Sequence, residues 1–465
     1  MKQIIIILII ASLFSLGQSF TNADLKSLNQ NQDGETLSYI VNVSSFMSKF
    51  VGETLDFEYY NGYVPVGSKE EEKDGQQSFF ISMVTKYGET LENMSDETDV
   101  IYWFNGGPGC SSQFGNWNEI GPILLDGETP YLNNESWNKQ ALLIFIDQPL
   151  GAGLSYTDNP NIKIGSTVDA APYMINFFHN FYEKYPGLLG HKTYFFGESY
   201  AGHYIPYYAN QVLEDDYLSK HMKLQGVGIG DGWTSPKHQI LSLSDFYYNV
   251  AIASQGQKEE IYFTSNQAKK AIENKEYAKA THLFDSITDD TSAYGNVDQY
   301  NFFYYKYPGQ EDPYTGMEFE NFLNKPDFRK GYGIYSKAIP KFSNCNETIY
   351  DNFNNDFTKS YDKYVDQLLS KGQKVLLFNG QLDIIVNGAG AQDWINELSW
   401  KNLEKWQNSK RSVWYYPDST SAVIGNFQNY DNFCYANIYK AGHMVPADQP
   451  VGSSNMLKKY LTWDW

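Results

Sequence analysis

The stretch Gly197-Glu198-Ser199-Tyr200-Ala201-Gly202 constrains this chain more than any other. It follows a strand-like aromatic run, Thr193-Tyr194-Phe195-Phe196, and precedes the helix-compatible His203-Tyr204-Ile205. A serine flanked by small residues between a strand and a helix fits a sharp, strained turn. Such a turn lifts the hydroxyl clear of a sheet edge and sets it at a helix N-terminus. Small neighbours are needed because bulk at positions 197 or 201 would collide where the chain reverses. Taken alone, a G-x-S-x-small pattern also fits an ordinary strand-to-helix turn. It gains weight from Asp383 and His443, which follow in the order Ser, Asp, His, each in its own distinctive local sequence.

Short apolar runs at 79–84, 100–104 and 141–146 end in turn residues and read as strands, as do 193–196, 224–229, 375–378 and 412–416. Helix-like segments lie between them, at 170–184, 361–369 and 391–398. Unbroken hydrophobic strands alternating with helices indicate an α/β fold with a mostly parallel sheet covered on both faces. Ligands then sit beyond the carboxyl ends of the strands. The 465 residues, 42% of them hydrophobic, suit one large α/β domain with an insertion. The alternation lapses between about 236 and 324, where a charged helical pattern (257–283) precedes a Tyr/Asp/Gly-rich segment (285–314). This region is expected to be an inserted cap over the site.

A formal charge of −20 excludes nucleic acid as a partner, since no basic stripe exists to neutralise phosphates. Met1-Lys2-Gln3, the apolar run 4–16 and the small residues Ser15, Gly17 and Ser19 read as a signal peptide over 1–19. The run is well short of the ~20 apolar residues that span a bilayer, so no membrane anchor is expected. The domain proper is expected over 20–465, with 20 to about 40 either a pro-segment or an N-terminal arm. Four sequons, at Asn42, Asn93, Asn134 and Asn346, fit passage through the secretory pathway. With three cysteines, one is left over or pairs between chains.

Several blocks carry a more specific signal. Trp103-Phe104-Asn105-Gly106-Gly107-Pro108-Gly109-Cys110-Ser111-Ser112, Glu119-Ile120-Gly121-Pro122 and the run from Asp147 to Tyr156 resemble consecutive signatures of the serine carboxypeptidases. The Ser199 and Asp383 blocks and the run from Ala441 to Pro450 complete the set, so the resemblance extends from about Tyr60 to the C-terminus. It implies an α/β-hydrolase fold and an acid-favoured exopeptidase that removes single C-terminal residues from peptides and proteins, in a lysosome or vacuole or after secretion. No metal or organic cofactor is implied.

The resemblance also assigns roles. Ser199 would be the nucleophile, His443 its general base and Asp383 the group that orients the imidazole. Backbone N–H groups of Gly107 and Tyr200 would form the oxyanion hole. Asn105, Gly106, Glu119 and Glu198 would bind the substrate's α-carboxylate, with Trp103 in support, and Met444 would touch the leaving side chain. Two close carboxyls cannot both ionise cheaply, so one keeps a proton to donate to the substrate. Cys110 and Cys345 match the family's bridged positions, which leaves Cys434 free. Two departures stand out: Gln381 replaces a second acid common among relatives, and Val386 replaces a common cysteine. Alternatives that keep the scaffold are an acyltransferase, which changes the acyl acceptor, and a non-catalytic binding or protective protein.

Overall fold

A computed structural model describes residues 40–465, except 293, 295, 306–317, 335–338, 418 and 420. The expected signal peptide and part of the expected cap therefore lie outside the described residues.

Eleven strands form the backbone of one sheet. They are β1 (Ile40–Asn42), β2 (Tyr59–Pro65), β3 (Gln77–Val84), β4 (Asp99–Phe104), β5 (Ala141–Ile146), β6 (Lys192–Glu198), β7 (Lys223–Gly230), β8 (Lys374–Gly380), β9 (Ser412–Tyr415), β10 (Val423–Tyr430) and β11 (Phe433–Ile438). Their order across the sheet is β1-β2-β3-β5-β4-β6-β7-β8-β11-β10-β9, and a two-residue strand, Tyr156–Thr157, pairs with β3. The six central strands, β5 to β11 in that order, all run parallel. Antiparallel strands flank them on both sides.

The parallel core follows from the side chains. Successive residues of a strand point to opposite faces, and every residue of Ala141-Leu142-Leu143-Ile144-Phe145-Ile146 is buried. Val100, Tyr102, Phe104 and Phe195 enter one hydrophobic cluster, while Ile101, Trp103 and Phe196 enter the other. On the first face lie helices α1 (Thr167–Lys184) and α2 (Ala201–Glu214), with the Phe178 ring stacked 5.3 Å from that of Phe195. Ser166 starts α1 by accepting the Asp169 N–H at 3.0 Å, a side-chain cap that fixes where the helix begins. The opposite face is closed by a C-terminal helix, Pro450–Thr462, whose Tyr460 ring meets Phe196 edge-on at 5.0 Å.

Between β7 and β8, which are neighbours in the sheet, the described residues 231–373 contribute no sheet strand. The excursion is longer than the expected 236–324. It opens with α3 (Pro236–Asn249), α4 (Gln255–Glu273) and α5 (Tyr277–Ser292). The single helical pattern expected over 257–283 is thus two helices. The break lies at Asn274-Lys275-Glu276, where Lys275 takes a left-handed φ of 63° and Glu276 N–H returns to the Ala271 carbonyl. Later in the excursion Phe319, Phe322 and Leu323 return to the core and join the cluster on the C-terminal helix side.

Candidate active site

Five loops leave the carboxyl ends of adjacent parallel strands, and strand order decides which side chains meet. β4 delivers Asn105, β6 Ser199, β7 Asp231, β8 Asp383 and β11 His443. Residues separated by hundreds of positions thereby lie in a row along one sheet edge.

Ser199 occupies the expected turn, with a φ of 61° that non-glycine residues adopt only when the surroundings hold it. Its N–H donates to the Gly230 carbonyl at 3.0 Å, and its own carbonyl accepts from Trp233 N–H at 2.8 Å. Gly197 is required by space, since a Cβ there would sit 2.0 Å from the Phe104 carbonyl oxygen. Below the turn, the Tyr200 hydroxyl donates to buried Asp356 at 2.9 Å, and Tyr361 donates to the same carboxylate.

His443 and Asp383 are both buried, and the imidazole Nδ1 lies 2.8 Å from Asp383 Oδ2. The bond commits Nδ1 and leaves Nε2, which has no partner, to exchange protons. Asp383 Oδ1 accepts Val386 N–H at 3.3 Å. A segment of the insertion braces both loops. The Tyr300 carbonyl accepts His443 N–H at 2.7 Å, Gln299 accepts from Ile384 at 3.0 Å, and Phe302 N–H donates to Leu382 at 3.1 Å. Nothing in the local sequence of 299–302 signals this brace.

A cavity of about 570 Å³ opens at Ser199, with Gly107, Tyr200, Trp233, Phe284, Asp285 and Tyr350 among its lining. Gly107 has a φ of 105°, a region open to glycine, and lies in the turn after β4. Tyr200 immediately precedes α2, where helix N–H groups lack partners within the helix. Val386, one of the two departures, lines the cavity; Gln381, the other, is exposed. Met444 is buried in the core cluster of the sheet's other face and is not among the cavity-lining residues.

The expected carboxylate-binding residues do converge. Trp103 Nε1 donates to Asn105 Oδ1 at 2.8 Å, and Gly115 N–H donates to the same oxygen at 3.1 Å. That fixes the amide so that Nδ2 faces the acids, 3.0 Å from Glu198 Oε1 and 3.4 Å from Glu119 Oε1. Gly106 packs against the serine turn so closely that a Cβ on it would lie 2.7 Å from Ser199 Cβ. Burial pushes Glu119 up to about 7. Burial and the negative charge of Glu119 hold Glu198 well above the ordinary carboxyl range. The pair therefore holds at least one proton in mildly acidic solution.

Cys110 and Cys345 are joined by a disulfide, and Cys434 is free and buried within β11. The bridge ties the loop after β4 to the later part of the insertion. Asp147 anchors the same loop, accepting the Ser111 hydroxyl at 2.6 Å and Leu154 N–H at 2.8 Å. Of the four sequon asparagines, Asn93 and Asn134 are exposed. Asn346 is partly buried, and its Nδ2 donates to the Gly151 carbonyl at 3.0 Å.

Fold and site together define an α/β hydrolase. Within that class the chain belongs to the serine carboxypeptidase family, whose model matches residues 49–462. It is 29% identical over 372 residues to serine carboxypeptidase S10 family member 1 of Dictyostelium discoideum, covering 80% of this chain and 88% of that one. The vacuolar serine-type carboxypeptidase ATG42 of Saccharomyces cerevisiae is 31% identical over 384 residues, 78% of this chain and 73% of its own length. Among solved structures, Kex1(delta)p, a prohormone-processing carboxypeptidase from Saccharomyces cerevisiae, superposes with a TM-score of 0.76. Its sequence is 26% identical, and the match covers 87% of this chain and 91% of that one.

Proposed function

We propose that this protein releases single C-terminal residues from peptides and proteins through an acyl-enzyme, and does so best in acid. The observation that carries this reading is the buried Glu119–Glu198 pair, oriented by Asn105 beside the Ser199 turn. A protonated carboxyl in such a pair donates to the α-carboxylate of a substrate, whereas an ionised pair repels it. An endopeptidase has no need for such a group.

In this mechanism Ser199 Oγ attacks the last peptide carbonyl as His443 Nε2 takes its proton. The Gly107 and Tyr200 N–H groups stabilise the oxyanion, a contribution of about 3 kcal/mol per donor. His443 returns the proton to the departing amine, Asp383 stabilises the imidazolium between the two transfers, and water then hydrolyses the ester. The exposed sequon asparagines Asn93 and Asn134, the disulfide and the vacuolar relative support a secretory-pathway or vacuolar setting.

Mass spectrometry of a mixed peptide library at acid and neutral pH tests the reading. Ladders shortened by one residue at a time, faster in acid, are expected, and peptides with amidated termini should be poorer substrates. Internal cleavage products would overturn it. Ester formation with an added alcohol, or amide formation with an added amine, in place of hydrolysis would instead favour an acyltransferase. Failure of an organophosphonate to label Ser199 stoichiometrically would favour a binding protein.

A further inference from the structure

Asp231 has no role in the scheme above, yet it lies inside the cluster that does the chemistry. Its carboxyl is completely buried, and ligating atoms of Asp231, Asp383 and His443 all lie within 4.8 Å of one another. It follows β7 at a φ of 41°, with its N–H on the Phe378 carbonyl at 2.7 Å. Oδ1 accepts Gly380 N–H at 2.9 Å and Asn379 Nδ2 at 3.2 Å. Oδ2 has no donor or acceptor of its own. The ionisable groups facing it are Asp383 from the loop after β8, His443 from the loop after β11, Glu198 at the end of β6 and Tyr435 on β11. No lysine or arginine is among them.

Two ionised carboxylates offer only acceptors to each other, so this contact becomes a hydrogen bond only when one carries a proton. Asp383 is the poorer host, because it faces the imidazole that must become positive during turnover. We propose that Asp231 is a positioning residue that stays protonated and donates its Oδ2 hydroxyl to the Asp383 carboxylate. The bond fixes the Asp383 carboxylate in the plane that His443 needs. It also withdraws charge from that carboxylate, which lessens its pull on the His443 proton. His443 then remains a neutral base at a lower pH than an unassisted Asp–His pair allows. An ionised Asp231 would do the reverse, adding negative charge beside the imidazole and repelling Asp383. Burial and the Asp383 charge both push the Asp231 carboxyl well up, in the direction this arrangement needs.

The inference rests on the Ser199–His443–Asp383 reading, and the test separates the two. Hydrolysis of a peptide ester, which carries no free carboxylate for Glu119 and Glu198 to read, is followed as kcat against pH for wild type, Asp231→Leu and Asp231→Asn. Asp231→Leu removes the donor, so the acid limb of kcat should move to higher pH, with at least about a tenfold loss near pH 5. Asp231→Asn supplies a donor that cannot ionise. It should recover activity to within about threefold of wild type in acid and extend the alkaline limb by about one pH unit or more. An Asp231→Asn profile with the wild-type alkaline limb, or a loss as deep as that of Asp231→Leu, would overturn the proposal. Organophosphonate labelling of wild-type Ser199 reports on the underlying triad independently: normal labelling with an unmoved profile sinks the role of Asp231 alone.

Discussion

Two buried acid pairs flank the Ser199 turn, and they differ in the groups that surround them. Glu119 and Glu198 share the amide of Asn105, which Trp103 and Gly115 hold in one orientation, and each keeps a buried Oε2 without a hydrogen-bond partner, the oxygens that the proposed function assigns to a substrate. Asp383 and Asp231 are closed in by backbone N–H groups of Val386 and Gly380 and by the imidazole. Both pairs exploit the same electrostatic fact, that adjacent carboxyls in a dry site compete for one proton. On the proposed reading one pair serves a ligand that changes with every turnover, the other a histidine that does not. Hence the first should govern KM for free-acid substrates, and the second should govern kcat.

The strongest check on this division is Ser199→Ala. Turnover should fall by about four orders of magnitude or more for acid, amide and ester substrates alike, since the triad acts as a unit. Thermal stability should stay within a few degrees of wild type. A residual rate within tenfold of wild type would remove the common centre on which both pairs are said to act. Next in size is Glu119→Gln/Glu198→Gln. In the wild type the Glu119 carboxyl, pushed up to about 7, is neutral below that pH and ionised above it. Binding of a free α-carboxylate is therefore strongest in acid and weakens as pH climbs past neutral, where Glu198 keeps its proton but the new charge on Glu119 repels the substrate. KM for a peptide acid should rise by about tenfold between pH 6 and 8, while KM for the matched amide changes little. The double glutamine variant should flatten the acid curve and leave ester kcat in place. Parallel wild-type curves for acid and amide would break the comparison.

Trp103→Phe probes the same pair more gently. It deletes the indole N–H that orients Asn105, so KM for free acids should rise by severalfold, about 1 kcal/mol, with ester kcat preserved. A change in ester kcat as large as that in KM would show that Trp103 serves packing and not carboxylate binding. Cys110→Ser addresses stability instead of chemistry. Opening a loop that spans 235 residues should cost up to about 5 kcal/mol, read as a lower melting temperature, with the pH profile of the folded fraction unchanged.

Much of this site was legible because each half of it has a local signature. A serine between Gly197 and Gly202, a histidine in Ala441-Gly442-His443-Met444 and an aspartate after an apolar strand can all be read without knowing what they touch. Asp231 could not be found that way. Gly230-Asp231-Gly232 reads as an ordinary turn, and only the parallel pairing of β7 with β8 brings the carboxyl to Asp383. The same holds for β11, which carries the histidine loop. Its sequence, Phe433-Cys434-Tyr435-Ala436-Asn437-Ile438, was not picked out, and β2 is interrupted by Gly62 and ended by Pro65, residues that argue against a strand. In the insertion the charged pattern was visible but its division was not. Ser254 and Gln257 form a capping box that marks the start of α4, a signal that sequence carries in the spacing of the two residues. The stop at Lys275 depends on a left-handed residue without glycine, which sequence does not advertise.

The contacts of 299–302 bear on how such enzymes can be rebuilt. The insertion that shapes the cavity also supplies the carbonyl that holds His443 and the amide that holds Leu382. Cavity shape and the alignment of His443 therefore share a single stretch of chain. A chimaera that swaps the whole insertion replaces the histidine's brace as well, so an inactive hybrid says nothing about pocket fit. Exchanging α4 and α5 while leaving 297–305 native should separate substrate preference from competence.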